Sequence, residues 1–311
     1  MFEQNTALLE RAVETHALIR PVSNHRLPDG TLDVEGNLRL WNEVMKPFDK
    51  ILLWKQPVCR GELQGEPCLI PVPAREHVDR PVILIAHGGG FRWRTGCEAA
   101  NVALWFRRHG YSTAILSYRL QPHSRMESFA DMQCAVRLLR QLTEEIGHNG
   151  KVIAMGFSAG GMLAANCATL FDAGNPESDD PADWQSSRPD AAVVCYGAMS
   201  ATAFPQPFGI APDDALFGAS REERCALSAE RQIRTDTPPM FLWQTMSDDG
   251  RHGMNLASAL QAMGVPYELH IFQAGVHGLA LADGENDLGM ISETVSRWPE
   301  LCLGWLKENG L

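Results

Sequence analysis

From about residue 66 the chain sets up a rhythm: short aliphatic, β-branched runs alternate with longer stretches whose apolar positions recur every three to four residues. The runs at 81–86 (PVILIA), 111–118, 151–155, 191–196, 239–244 and 267–272 predict strands. The helical periodicity predicts helices over 99–109, 126–146, 160–170, 254–263 and 297–307. Apolar runs without alternation are the mark of strands covered on both faces, and the alternation of strand with helix implies parallel β/α units. Before that rhythm begins, Leu8, Leu9, Ala12, Val13 and His16 share one helical face over 5–20, with Asn5 as a candidate cap. That helix offers a packing arm or, less favoured, a contact between copies of the chain in a homo-oligomer. Two stretches break the rhythm: polar 172–190, and 198–237, rich in Pro and Phe and a candidate cap or lid.

Composition narrows the partners. The chain carries 27 Lys and Arg against 38 Asp and Glu, a formal charge of −11. An acidic balance argues against nucleic acid and anionic membrane surfaces, leaving small neutral or cationic ligands. No apolar run approaches the ~20 residues of a membrane helix. The first residues lack the basic start and apolar core of an export signal, so a cytoplasmic location is expected. Eight cysteines contain no CxxC pair, several sit inside apolar runs, and they read as reduced thiols. The histidines lack ligand spacing relative to those thiols, so neither metal nor other cofactor is expected.

In open parallel sheets, ligands bind past the carboxyl ends of the strands. Three such ends carry chemistry. After 151–155 comes Gly156-Phe157-Ser158-Ala159-Gly160, where small residues two positions either side of a serine allow a sharp strand-to-helix turn. A GxSxG arises by chance in about one such chain in eight, so its place between a strand and a helix carries the reading of Ser158 as nucleophile. After 81–86 comes His87-Gly88-Gly89-Gly90-Phe91, whose glycines let main-chain N–H groups approach a ligand. Gly89, Gly90 and Ala159 are the expected oxyanion donors, and His87 is expected to order the loop rather than act as a base. Past the last two strands lie Ser247-Asp248-Asp249 and Val276-His277-Gly278. His277 is the expected base and Asp248, favoured over Asp249, its orienting acid. Phe91, Trp93, Trp184 and Phe208 are candidate walls of a substrate mouth, with Phe91, Trp93 and Phe208 preferred.

Together HGGGF, GFSAG, TPPMFLWQTMSDD and GVPYELHIFQAGVHGLALA resemble the α/β-hydrolase superfamily, in particular its acetyl xylan esterase-like and hormone-sensitive-lipase-like branches. The resemblance runs from about residue 67 to 305 and implies a doubly wound, mostly parallel sheet with helices on both faces and a small cap. It implies an N-terminal extension over 1–60, a catalytic domain over 61–311, and a serine esterase acting on short acyl esters, including O-acetyl groups of a carbohydrate. Tyr118-Arg119 matches a pair that supports the HGGG loop in that family. Arg251-His252 stand where the family has Val-Pro after the acid, which alters the acid loop. Two competing readings keep the same motifs. One is a serine peptidase of the prolyl-oligopeptidase type, which would carry a larger segment ahead of HGGG; the other is a non-catalytic ligand-binding relative, which would lose a triad member.

Overall fold

The computed structural model describes residues 2–18, 26–59, 61–76, 79–203 and 217–311. Eight strands form one sheet in the order β1-β2-β4-β3-β5-β6-β7-β8. They are β1 Ile51–Leu52, β2 Cys68–Val72, β3 Val82–Ala86, β4 Ser112–Ser117, β5 Val152–Phe157, β6 Ala191–Cys195, β7 Met240–Thr245 and β8 Tyr267–Phe272. From β4 to β8 all neighbours are parallel; β1 and β2 join antiparallel at one edge. Strands β2 to β7 are buried along their whole length, as unalternating apolar runs require, whereas the edge strand β8 is half-buried throughout.

Strands β2 to β7 each feed two cores. Val82, Leu84 and Ala86 point into one cluster, while Ile83 and Ile85 point into the other. The first is roofed by α4 (Arg125–Gln141), α6 (Ala159–Thr169) and α8 (Arg251–Ala262). The second is roofed by α1 (Glu3–Glu14), α3 (Val102–Arg108) and α9 (Trp298–Glu308). The expected doubly wound sheet is therefore what the chain builds. Among the described residues no helix is long and apolar enough to cross a membrane.

Several expectations shift. The helix expected over 126–146 stops at Gln141, and a separate turn, α5 (Thr143–Ile146), ends at left-handed Gly147. Its start is sharper than the apolar pattern suggests, because Ser124 and Glu127 form a reciprocal capping box. Asn5 is no cap: it lies inside α1, fully buried, and its amide bonds Asp49 O at 2.9 Å and Pro71 O at 2.8 Å. The arm is thereby pinned to its own sheet, and Leu9 is buried beneath it. The boundary drawn at residue 60 falls between β1 and β2, so the extension supplies an edge strand as well as α1 and α2 (Val34–Met45). A two-residue strand has no period to read, and α2 announces itself only through its Asp33 cap. The 198–237 stretch includes α7 (Arg221–Leu227), capped by Ser220; a seven-residue helix gives too few turns for periodicity to stand out. Residues 204–216 of that stretch, with Phe208, lie outside the described residues.

Candidate active site

Strand β5 runs straight into α6 with Ser158 at the corner, held at φ 53°, ψ −115°. That backbone is strained for a residue with a Cβ, and the surroundings enforce it. Ser158 N–H donates to Cys195 O at 3.0 Å, and a Cβ on Gly156 or Gly160 would overlap the backbone of Gly160 or Ala86 respectively. The two glycines let the helix lie against the strand, which turns the serine side chain outward at the strand's carboxyl end.

From there a chain of hydrogen bonds crosses three loops. Ser158 Oγ lies 2.8 Å from His277 Nε2, and His277 Nδ1 lies 2.7 Å from Asp248 Oδ1. Asp248 is fully buried, and its second oxygen accepts from Thr245 Oγ1 at 2.9 Å. With Asp248 ionised, Nδ1 carries the ring proton and Nε2 is left as an acceptor for the serine hydroxyl. The neighbouring Asp249 is left-handed at φ 55° and faces Arg251, whose Nε donates to it at 2.6 Å; that partner holds its carboxyl below the usual range. Of the two carboxylates, the structure brings only Asp248 to His277.

The HGGG loop lies against the serine: a Cβ on Gly88 would come 3.0 Å from Ser158 Cβ. Gly88 N–H is already engaged, donating to Glu98 Oε2 at 2.7 Å and Thr95 Oγ1 at 3.0 Å. It cannot also serve a ligand well. Among the described residues no acceptor takes the N–H of Gly89, Gly90 or Ala159. Gly89 (φ 105°) and Gly90 (φ 59°) occupy backbone conformations that favour glycine, and Gly89 sits so close to Trp93 O that a Cβ would clash.

His87 is wholly buried between Trp41 and Tyr118, stacked on the latter at 4.5 Å. Its Nδ1–H donates to Gly88 O at 2.6 Å, and Tyr118 Oη donates to His87 O at 2.8 Å. Burial, with help from Arg94, pushes the imidazole down to about 3, so it is neutral and braces the loop. Arg119, the second half of that pair, binds Asp131 of α4 through Nε at 3.0 Å.

Two residues without any sequence signal knit the site from below. Glu98 lies on a short π-helical segment, Cys97–Asn101, and is 2% exposed. Besides Gly88 N–H it accepts from Tyr196 Oη at 2.8 Å, and that hydroxyl accepts Ala280 N–H at 3.0 Å. Burial, then Glu98, pushes the Tyr196 phenol far up, so it remains a donor. Its ring meets His277 edge-on at 5.1 Å. One carboxylate and one phenol therefore join the glycine loop to the loop that carries His277.

The aromatic candidates separate. Phe91 is 1% exposed, packed against Tyr118 and beneath Arg125, so its ring is core wall and offers no open face. Trp93 is half-buried beside Gly89, at the edge of the glycine loop. Trp184 is exposed, and its indole N–H donates to Ser178 O within the 172–190 segment. His252, one of the two residues departing from the expected acid loop, is buried and accepts Ser200 N–H at 3.3 Å.

The sequence profile of the family described as BD-FAE matches residues 69–251. Over 220 residues, 68% of this chain, the sequence is 29% identical to Endo-1,4-beta-xylanase B of Butyrivibrio fibrisolvens, and spans about a third (34%) of that protein's length. It is 28% identical to Esterase LipI of Mycobacterium tuberculosis, over 67% of this chain and 68% of that one. Among solved structures, an acetyl ester-xyloside bifunctional hydrolase from Caldicellulosiruptor lactoaceticus superposes with a TM-score of 0.76 at 33% identity, covering 84% of this chain and 96% of the other.

Proposed function

The chain belongs to the BD-FAE family of α/β-hydrolases, and from that premise we propose that it hydrolyses short-chain carboxylic esters through an acyl-enzyme on Ser158. The observation that carries the proposal is the unbroken line from Ser158 Oγ through His277 to Asp248, at 2.8 and 2.7 Å, on a strained turn. His277 takes the serine proton as Oγ attacks the ester carbonyl, and Asp248 stabilises the imidazolium that results. Charge developing on the carbonyl oxygen is met by the N–H groups of Gly89, Gly90 and Ala159 at the start of α6. His277 returns its proton to the leaving alcohol, then activates water to release the acid.

A ligand-binding relative without chemistry has no use for a strained serine bonded to an oriented imidazole, which argues for catalysis. The substrate we favour is an O-acetyl group on a carbohydrate, supported by the acetyl ester-xyloside hydrolase and xylanase among the relatives. All eight cysteines are free thiols and seven are buried, which supports a reducing, cytoplasmic setting.

Two measurements test the reading. A fluorophosphonate probe should label the chain at Ser158 and leave Ser158→Ala unlabelled. Against p-nitrophenyl esters of rising chain length, acetylated xylosides and prolyl amides, kcat/KM should be greatest for acetyl esters. A preference for the amides would instead favour the peptidase reading, and absence of labelling would remove the nucleophile.

A further inference from the structure

We propose that Cys59, Glu62 and His123 form a divalent-cation site of the zinc class, clasping the β1–β2 connection to the turn that precedes α4. One ligand atom from each lies within 4.8 Å of the others, although 64 residues separate Cys59 from His123. The arrangement suits a shared ion better than a hydrogen bond. His123 Nε2 and Glu62 Oε1 are 3.8 Å apart, too far for hydrogen bonding. Ligands of one tetrahedral zinc with ~2.1 Å bonds lie roughly 3.4 Å apart, so a movement of well under 1 Å closes the pair.

The donors are also prepared. His123 Nδ1–H donates to Glu127 Oε1 at 2.9 Å, which fixes the ring and leaves the Nε2 lone pair facing Glu62 and Cys59. A carboxylate behind a ligating imidazole is the usual outer partner of a zinc histidine. Nε2 of His123 and Oε2 of Glu62 are buried, and among the described residues neither has a hydrogen-bond partner. Cys59 is 6% exposed, while the His123 and Glu62 side chains keep partial exposure, which gives an ion a way in. Binding replaces the thiol proton by the metal and releases that proton to solvent. Thiolate, imidazole and one carboxylate favour zinc over magnesium or calcium.

The turn bearing His123 also touches the serine's surroundings. Gln121 N–H donates to Phe91 O at 2.8 Å, directly after the three glycines. The bound ion would therefore steady the turn behind the glycine loop without touching the reacting atoms.

The test is titration of the full chain, first stripped by a chelator, with Co(II) as spectroscopic probe and Zn(II) as competitor. One equivalent of Co(II) should produce a thiolate-to-cobalt charge-transfer band that Zn(II) abolishes. Cys59→Ser should lose the band, Glu127→Gln should bind about tenfold or more weakly, and Cys225→Ser, which alters the most exposed thiol, should behave as the parent. Zn(II) should also raise the thermal midpoint of the unmodified chain above its value with chelator. No charge-transfer band in the unmodified chain overturns the proposal whatever the variants do; so does a band that survives in Cys59→Ser.

Discussion

Two histidines lie past the carboxyl ends of parallel strands in this molecule, His87 directly after β3 and His277 five residues after β8, each followed by glycine, and the fold gives them opposite characters. His277 sits in a loop with its side chain one-third exposed (34%), its two nitrogens bonded to a serine and a carboxylate. His87 is sealed between rings, with one nitrogen tied to the adjacent carbonyl. Desolvation without a compensating carboxylate strips His87 of its capacity to hold a proton near neutrality. A carboxylate stands behind His277, where His87 has only a main-chain carbonyl. Acid–base work is thus decided by what lies behind the ring and whether solvent reaches it, while residue type and the glycine that follows are common to both.

The sharpest test of that contrast is His277→Ala against His87→Phe. The first should lower kcat on p-nitrophenyl acetate on the order of 10⁶-fold. The second loses one hydrogen bond of a bracing group and should cost about tenfold or less. A comparable loss in both would show that the glycine-loop histidine takes part in proton transfer. Next in size, Asp248→Asn should lower kcat on the order of 10⁴-fold by releasing the wrong tautomer. Asp249→Asn, which breaks only the exposed pair with Arg251, should leave the rate nearly unchanged.

The buried link between the two loops sets a smaller effect. Glu98→Gln leaves one neutral acceptor and puts an NH2 donor against either Gly88 N–H or Tyr196 Oη, and should lower unfolding free energy by about 1.5–3 kcal/mol, read from urea melts. An unchanged melt would mean the carboxylate is not what joins the loops.

The sealed histidines also make stability sensitive to acid. Both sealed rings, His87 at about 3 and His252 at about 4, lie below the ordinary 6.5 because burial disfavours their charge. As pH falls below 6.5 the unfolded chain protonates these rings and the folded chain does not, so stability declines until pH drops past the folded values. Urea midpoints should therefore fall between pH 7 and 4, and His87→Phe should flatten the slope. An equally steep slope in that variant would show that His87 is not sealed.

The local motifs were legible because they are contiguous and their physics is local. A serine between small residues at a strand end, three glycines after a β run, and unalternating strands each declare a backbone conformation or a burial state within a few residues. The resemblance those motifs carry in their order along the chain was enough to expect an α/β-hydrolase, to name Ser158 and His277, and to favour Asp248 over Asp249 without deciding between them. What sequence spacing could not supply is anything set by contact between distant segments. Nothing in TGCEAAN marks Glu98 as the carboxylate that meets Gly88 N–H and Tyr196, and Asn5 reads as a cap until β2 is seen beside it. Phe91 follows the glycines as though bound for a mouth, yet its positive φ turns the ring into the core. The choice of Asp248 over its neighbour and the meeting of Cys59 with His123 are likewise tertiary outcomes. Periodicity records which face of an element is dry, but which polar group waits on the other side of that face is settled only when the sheet assembles.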